Sequence, residues 1–232
     1  MPYIDLEKLA AIDPVAYQTR DPYPYANPEG ILYEDAYRKL VENLPPTELF
    51  EQVEGKKRAH GQTPHDRLTL EYEDGLPIPS PWQEFVDELR AGPYVEAMCR
   101  LVGVPQIDLR FHWHWATRGN SVSPHCDAMR KYGSHIFYLN TEADWEPAWG
   151  GETIVLDDNK RFSRNSAPAF EEFDAEIHAD AGHNRSFIFT RRGDSWHGVK
   201  EITCPEGAYR KVFIVVLNKP GWRGRLTRLV SP

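Results

Sequence analysis

Cysteine is scarce in this chain: Cys99, Cys126 and Cys204 are the only three in 232 residues. An odd number at wide spacing argues against a disulfide framework and points to a reducing compartment, so a cytoplasmic protein is expected. Positive charge is also in deficit. Lys and Arg number 27 against 35 Asp and Glu, a formal net charge of −8. With no basic stripe to offset it, neither nucleic acid nor an anionic membrane surface is an expected partner. No segment approaches the roughly 18–20 apolar residues that span a bilayer. The opening MPYIDLEKLAAIDP carries acids and lacks a basic stretch followed by an apolar one, so it is not expected to be a secretory signal. There is no internal repeat.

What the chain does have is rings. Aromatic residues make up 12% of it, with seven Trp, within a hydrophobic content of 41% that suffices for a real core. One domain spanning residues 1–232 is expected, in two textures. Residues 1–104 read as helical support. EDAYRKLVEN (34–43) sets Ala36, Tyr37, Leu40 and Val41 at helical spacing and is stopped by Pro45-Pro46. A second helix opens at Ser80-Pro81, a third follows the Gly92-Pro93 break, and a short alternation in RLTLEYE (67–73) suggests a strand. From 105 to about 220 the texture is that of strands. In IDLRFHWHWAT, Leu109, Phe111, Trp113 and Trp115 fall on one face and Arg110, His112 and His114 on the other. Further strands are expected at 135–140, 151–157, 185–190 and 210–218. Many short strands with Gly, Pro and Asp turns predict a mainly β fold, a double-stranded β-helix or jelly roll backed by the N-terminal helices. Residues 158–184 form a long polar insertion, with a short helix suggested over 168–177. A loop of that length inside a compact domain is usually a lid or a binding loop.

The chemistry lies in His125-Cys126-Asp127 and the distant His197. On a strand, residues two apart share a face, so His125 and Asp127 can hold one ion while Cys126 turns away as a small buried side chain. Two neutral imidazoles and one carboxylate are the ligand set of a non-haem Fe(II) oxygenase, and they leave three octahedral positions open. Thirteen residues after His197, Arg210 opens a Val/Ile-rich strand. A buried guanidinium there needs a carboxylate partner, which a bound dicarboxylate would supply. Adjacent strand residues face opposite ways, so either Arg210 or its neighbour Lys211 enters the cavity, but not both.

These residues resemble the Fe(II)/2-oxoglutarate-dependent oxygenases, in particular the prolyl-4-hydroxylase-like branch. The resemblance runs from His125 to about Asn218 through FYLN (137–140), Trp145, Gly150-Gly151-Glu152-Thr153, FIF (187–189) and His197-Gly198-Val199, with a weaker echo in residues 21–45. It implies that His125, Asp127 and His197 bind Fe(II) and that Arg210 pairs with the distal carboxylate of 2-oxoglutarate. It also implies that Tyr138 reaches the co-substrate, with Ser134 and Trp115 beside its pocket. The implied reaction consumes O2 and 2-oxoglutarate and hydroxylates an unactivated C–H bond. The retained Asp127 favours hydroxylation over halogenation, since related halogenases lack that carboxylate to make room for chloride. A small metabolite or natural-product intermediate is the expected substrate, with a protein or peptide side chain as the alternative. The segment between Gly151 and Phe187 is longer than the family pattern, and Gly182-His183-Asn184-Arg185 replaces its usual Pro-x-x-Gly.

Two rivals come from other classes: a cupin-like metal isomerase or epimerase, and a jelly-roll binding module without catalysis. His112-x-His114 resembles the start of a cupin motif, but Arg118 and Gly119 stand where its Glu is wanted. These two histidines therefore read as pocket-lining or structural. His60, His65, His178 and His183 lie in polar loops and read as solvated. Arg118, Arg130, Lys131, Arg191 and Arg192 read as a solvated rim, and Trp196 as the ring that edges the site.

Overall fold

The computed structural model describes residues 2–221. Five helices, α1 (Leu6–Ala10), α2 (Pro14–Gln18), α3 (Glu34–Glu42), α4 (Ser80–Arg90) and α5 (Gly92–Val102), precede or flank the first strands. The strands are β1 (Tyr25–Ala26), β2 (Glu51–Val53), β3 (Arg67–Glu71), β4 (Asp108–Ala116), β5 (Val122–His125), β6 (Lys131–Tyr138), β7 (Ile154–Asp157), β8 (Ala175–His178), β9 (Ser186–Thr190), β10 (His197–Val199) and β11 (Arg210–Asn218). They form a seven-stranded sheet, β1-β9-β6-β11-β4-β3-β2, and a four-stranded sheet, β5-β10-β7-β8. Every strand pairing is antiparallel. The result is the jelly roll anticipated from the strand-rich second half.

β11 is the spine of the large sheet. Its β-branched run RKVFIVVLN pairs residue for residue with β4, from Arg210 opposite Ala116 to Asn218 opposite Asp108, and with β6 on its other side. The period of two then sorts the side chains. Phe111, Trp113, Phe137 and Phe213 turn outward onto α4, where Trp82 lies 5.2 Å from Trp113 and 5.1 Å from Phe213, ring to ring. Phe85 lies 5.6 Å from both Phe137 and Phe213. Trp82, Phe85, Val86 and Leu89 all fall on one face of α4 and are fully buried. The Trp82 indole N–H donates to the Leu40 carbonyl at 3.1 Å, which ties α4 to α3. α5 ends at Gly103, whose φ of +78° gives the left-handed cap that turns the chain toward β4. The opposite parity, with His112 and His114 of β4 and Ile214 of β11, faces the small sheet and the cavities between.

The insertion differs from expectation in one respect. Residues 168–177 contain a single 3-10 turn, Phe170–Glu172, followed by β8, which pairs with β7 from Ile154–His178 to Asp157–Ala175. Pairing with β7 claims Ala175–His178 as strand. Phe162 and Phe173 pack edge-on against the fully buried Trp196, at 6.3 and 5.7 Å. Trp196 therefore lies behind the site, buttressing the strand that carries His197.

Two predictions concern this framework. Trp82→Ala removes a fully buried ring and should cost about 3–5 kcal/mol in urea unfolding; a loss below about 1 kcal/mol would show that the helical layer does not anchor the sheet. His135, fully buried between Tyr94 and Phe137, has its pKa pushed down to about 3 by burial. An unfolded histidine takes its proton near pH 6.5, so acid favours the unfolded chain throughout the interval between these two values. Going from pH 6 to pH 5, the protein should lose about 1 kcal/mol more stability than His135→Phe. Equal losses would contradict a buried neutral imidazole.

Candidate active site

Antiparallel pairing of β10 with β5 sets His197 directly opposite His125, and their rings lie 4.4 Å apart, centroid to centroid. In each imidazole Nδ1 meets a backbone carbonyl two residues earlier, Ser123 O for His125 and Ser195 O for His197, both at 3.0 Å. A carbonyl only accepts, so each ring holds its proton on Nδ1 and offers its Nε2 lone pair. Burial lowers both imidazole pKa values, keeping the rings in the neutral form a metal requires. Asp127 sits just past the end of β5. Burial alone would raise its pKa, but Lys131, at 2.7 Å from Oδ1, holds it well below the usual carboxylate range. The Arg191 Nε donates to the Asp127 carbonyl at 2.8 Å and fixes the turn. Ligand atoms of His125, Asp127 and His197 all lie within 4.8 Å of one another. Among the described residues this is the one such cluster of metal-ligating side chains. Two nitrogens and a carboxylate suit a divalent first-row transition ion. Cys126, expected to be buried, is half-buried: it packs beside Ile154, Leu156 and Trp196 and also borders the outer cavity.

Arg210 is buried in the same inner cleft, a cavity of about 230 Å³ that also touches Asp127, His197, Thr153 and Ser134. Its Nε–H donates to the Gly151 carbonyl, and its guanidinium stands 5.8 Å from the centre of the Tyr138 ring. Among the described residues no carboxylate forms an ion pair with it. Burial lowers its pKa against the opposing pull of Tyr138 and the Glu152 carboxylate, and a guanidinium keeps its charge, so the cleft holds a cation without an ion-pair partner. Gly151 is needed there: its φ is +93°, and a Cβ would stand 3.0 Å from Arg210 Cδ. Tyr138 donates to Thr153 Oγ1 at 2.9 Å and is itself buried. Lys211 takes the other parity and pairs with Asp144.

Strand parity puts Trp115 elsewhere. It packs against Phe50, with ring centroids 4.4 Å apart, on the outer face of the large sheet, and it lines neither cavity. The cleft position on that strand belongs to His114. His112 and His114 line the larger outer cavity, as pocket-lining side chains should. His65 departs from the solvated reading: it is buried, bonds Ser123 Oγ through Nε2 at 3.0 Å, and lies 5.1 Å from the His125 ring. Burial first, then Arg58 and Arg67, pushes its pKa down to about 3. Of the five rim cations, Arg130 and Lys131 line the outer cavity; Arg118, Arg191 and Arg192 do not. His178 is exposed and pairs with Glu152 and Glu176, and His183, also exposed, with Glu34.

No family model matches the sequence, and no curated relative does. Solved structures match along nearly its whole length. A prolyl-4-hydroxylase from Pseudomonas putida shares 14% identity and a TM-score of 0.60 over 91% of this chain and 98% of its own. A prolyl hydroxylase from Trichoplax adhaerens, solved with a peptide fragment of hypoxia inducible factor, shares 14% over 98% and 94%, with a TM-score of 0.65. A non-heme alpha-ketoglutarate-dependent carbocyclase of nogalamycin biosynthesis shares 13% over 100% and 94%, with a TM-score of 0.59. At such identities the likeness is one of fold, and the jelly roll of these oxygenases is the fold of this chain.

Gly198 provides a test of the strand pair. A Cβ at this position would stand 2.7 Å from the Val122 carbonyl oxygen and from Phe170 Cζ, forcing β5 and β10 apart. Gly198→Ala should cost about 1–3 kcal/mol and weaken Co(II) binding, read by titration. Gly193→Ala, with nothing within 4 Å of its Cβ, should change neither. Unaltered Co(II) affinity in Gly198→Ala would show that the β5–β10 spacing does not set the ligand geometry.

Proposed function

We propose that this protein is an Fe(II)- and 2-oxoglutarate-dependent dioxygenase that hydroxylates an unactivated C–H bond. The observation carrying this reading is the buried Arg210, without an ion-pair partner among the described residues, in the cleft that also holds His125, Asp127 and His197. In this reading His125 and His197 present Nε2, and Asp127 presents a carboxylate oxygen, on one face of the metal. Lys131 holds Asp127 Oδ1 and keeps the carboxylate ionised and oriented. Arg210 takes the distal carboxylate of 2-oxoglutarate in a charge-assisted pair, which relieves the cost of burying it alone. Tyr138 and Thr153 border that carboxylate, and Ser134 lines the cleft beyond it. Ile136, Phe189, Val212 and Ile214 form the apolar wall that excludes water from the reacting atoms. Bound iron, with 2-oxoglutarate and O2, supplies the oxidising power, and the protein supplies position and shielding.

The cavity of about 980 Å³ outside the metal ligands is of the size that takes a small molecule. This favours a small-molecule substrate over a protein side chain.

Anaerobic titration of 2-oxoglutarate into the Fe(II)-loaded protein tests the reading. A weak visible metal-to-ligand charge-transfer band should grow with 2-oxoglutarate. In Arg210→Ala the half-saturating concentration should rise at least about thirtyfold, the effect of truncating one partner of a buried charge pair. Lys211→Ala, on the opposite parity, should leave it unchanged. No band in folded, iron-loaded protein would contradict the proposal.

A further inference from the structure

The chain is acidic as a whole, yet the outer cavity is basic. Eight Lys and Arg side chains and four carboxylates line the outer cavity. Two of the carboxylates are already matched from within the set, Asp127 by Lys131 and Glu71 by Arg110, both at 2.7 Å. Arg58 and Arg67 are different. Each lines both the outer cavity and the inner cleft, so together they flank the neck through which a ligand reaches the metal ligands. Arg67 Nη1 donates to the His65 carbonyl at 2.7 Å, while its buried Nε has no hydrogen-bond partner. Arg58 spends its Nε on the neutral Gln62 at 3.3 Å. Among the described residues neither forms an ion pair. Both are partly buried, and burial lowers the pKa of each, so the pair is held at some cost beside the site.

Cations concentrated at a concave neck focus field lines into it and attract the opposite charge. Two unpaired guanidiniums match a phosphate or carboxylate by geometry as well as charge. Because the cations line a cavity and do not form an open stripe, the matching ligand is compact. We propose that the substrate is an anionic small molecule whose phosphate or carboxylate is held by Arg58 and Arg67 at the neck, with Lys56, Lys57 and Arg164 drawing it in from the outer lip. The inference rests on the oxygenase reading for the fate of the ligand, though not for its binding.

The test uses the full chain, loaded anaerobically with Fe(II) and saturated with 2-oxoglutarate so that Arg210 is already occupied. Phenyl phosphate, phenylacetate and neutral benzyl alcohol are titrated by calorimetry at low ionic strength. At least one of the two acids should bind, more weakly as salt is added, and benzyl alcohol should not; the stronger acid tells phosphate from carboxylate. In the double variant Arg58→Gln, Arg67→Gln the affinity should fall at least about tenfold while the charge-transfer band is retained. Arg58→Gln alone, which loses only a side-chain bond to Gln62, keeps the test readable should the double variant not fold, and should weaken binding at least about threefold. Benzyl alcohol binding as well as the acids, no binding of either acid, or unchanged affinity in these variants would overturn the proposal. So would tighter binding of a Glu-rich hexapeptide than of either acid. Loss of the band with acid binding intact, read in the same cell, would count against the oxygenase reading alone.

Discussion

The register of β10 against β5 is the constraint from which the site follows. It sets His197 opposite His125, and the carbonyls of Ser195 and Ser123 then fix both imidazoles with their Nε2 atoms free. A one-residue slip would send the His197 side chain to the other face, toward the Phe162/Phe173 cluster. Much of the small sheet guards that register. Gly198 allows the Val122 carbonyl to approach, Trp196 locks the strand from behind, and the Phe162 and Phe173 rings of the insertion hold Trp196 in place. The insertion thus bears on the metal ligands through packing as well as through the cavity rim that Arg164 and Asn165 occupy.

The large sheet does complementary work through strict parity. Its outer face spends Phe111, Trp113, Phe137 and Phe213 on the helices, so its inner face is free to be polar. That polar face carries Arg210, Ser134 and His114, side chains that need compensation once buried. Arg210 at the head of β11 has the Gly151 carbonyl and the Tyr138 ring for company but no ion pair among the described residues, and the Arg67 Nε at the head of β3 has no hydrogen-bond partner. Helical packing carries the stability, and the inner face keeps charge unmatched for ligands to meet.

Much of this was legible in the sequence because it is periodic or local. RKVFIVVLN and DLRFHWHWA announced β11 and β4 to within a residue, and α3, α4 and α5 were signalled by spacing, Pro and Gly. The His-x-Asp pair and the distant His were readable as one site because FYLN, Gly150-Gly151-Glu152-Thr153 and His197-Gly198-Val199 follow in the order of the resemblance, each weak alone and specific together. Trp115 shows where alternation outranks resemblance: it shares a parity with Phe111 and Trp113, and that parity belongs to the helix-facing core. The same rule separates Arg210 from Lys211 once the face of one neighbour is known. His65, Arg58 and Arg67 were not legible as site residues, since nothing in KKRAHGQTPHDR marks a cavity wall. They reach it only because β3 pairs with β4, Leu68 opposite Trp115 and Glu71 opposite His112, across more than forty residues of chain. The strand-forming alternation of RLTLE was visible, but its partner was not.

The central claim is that one metal and one dicarboxylate bridge the two sheets, from His125, Asp127 and His197 to Arg210. An anaerobic crystal structure with Mn(II) and 2-oxoglutarate tests it most directly. The account predicts the metal on Nε2 of both histidines and a carboxylate oxygen of Asp127, with the distal carboxylate of 2-oxoglutarate on the Arg210 guanidinium. A metal held by His112 and His114, or a dicarboxylate paired with Lys211 on the outer face, would contradict it.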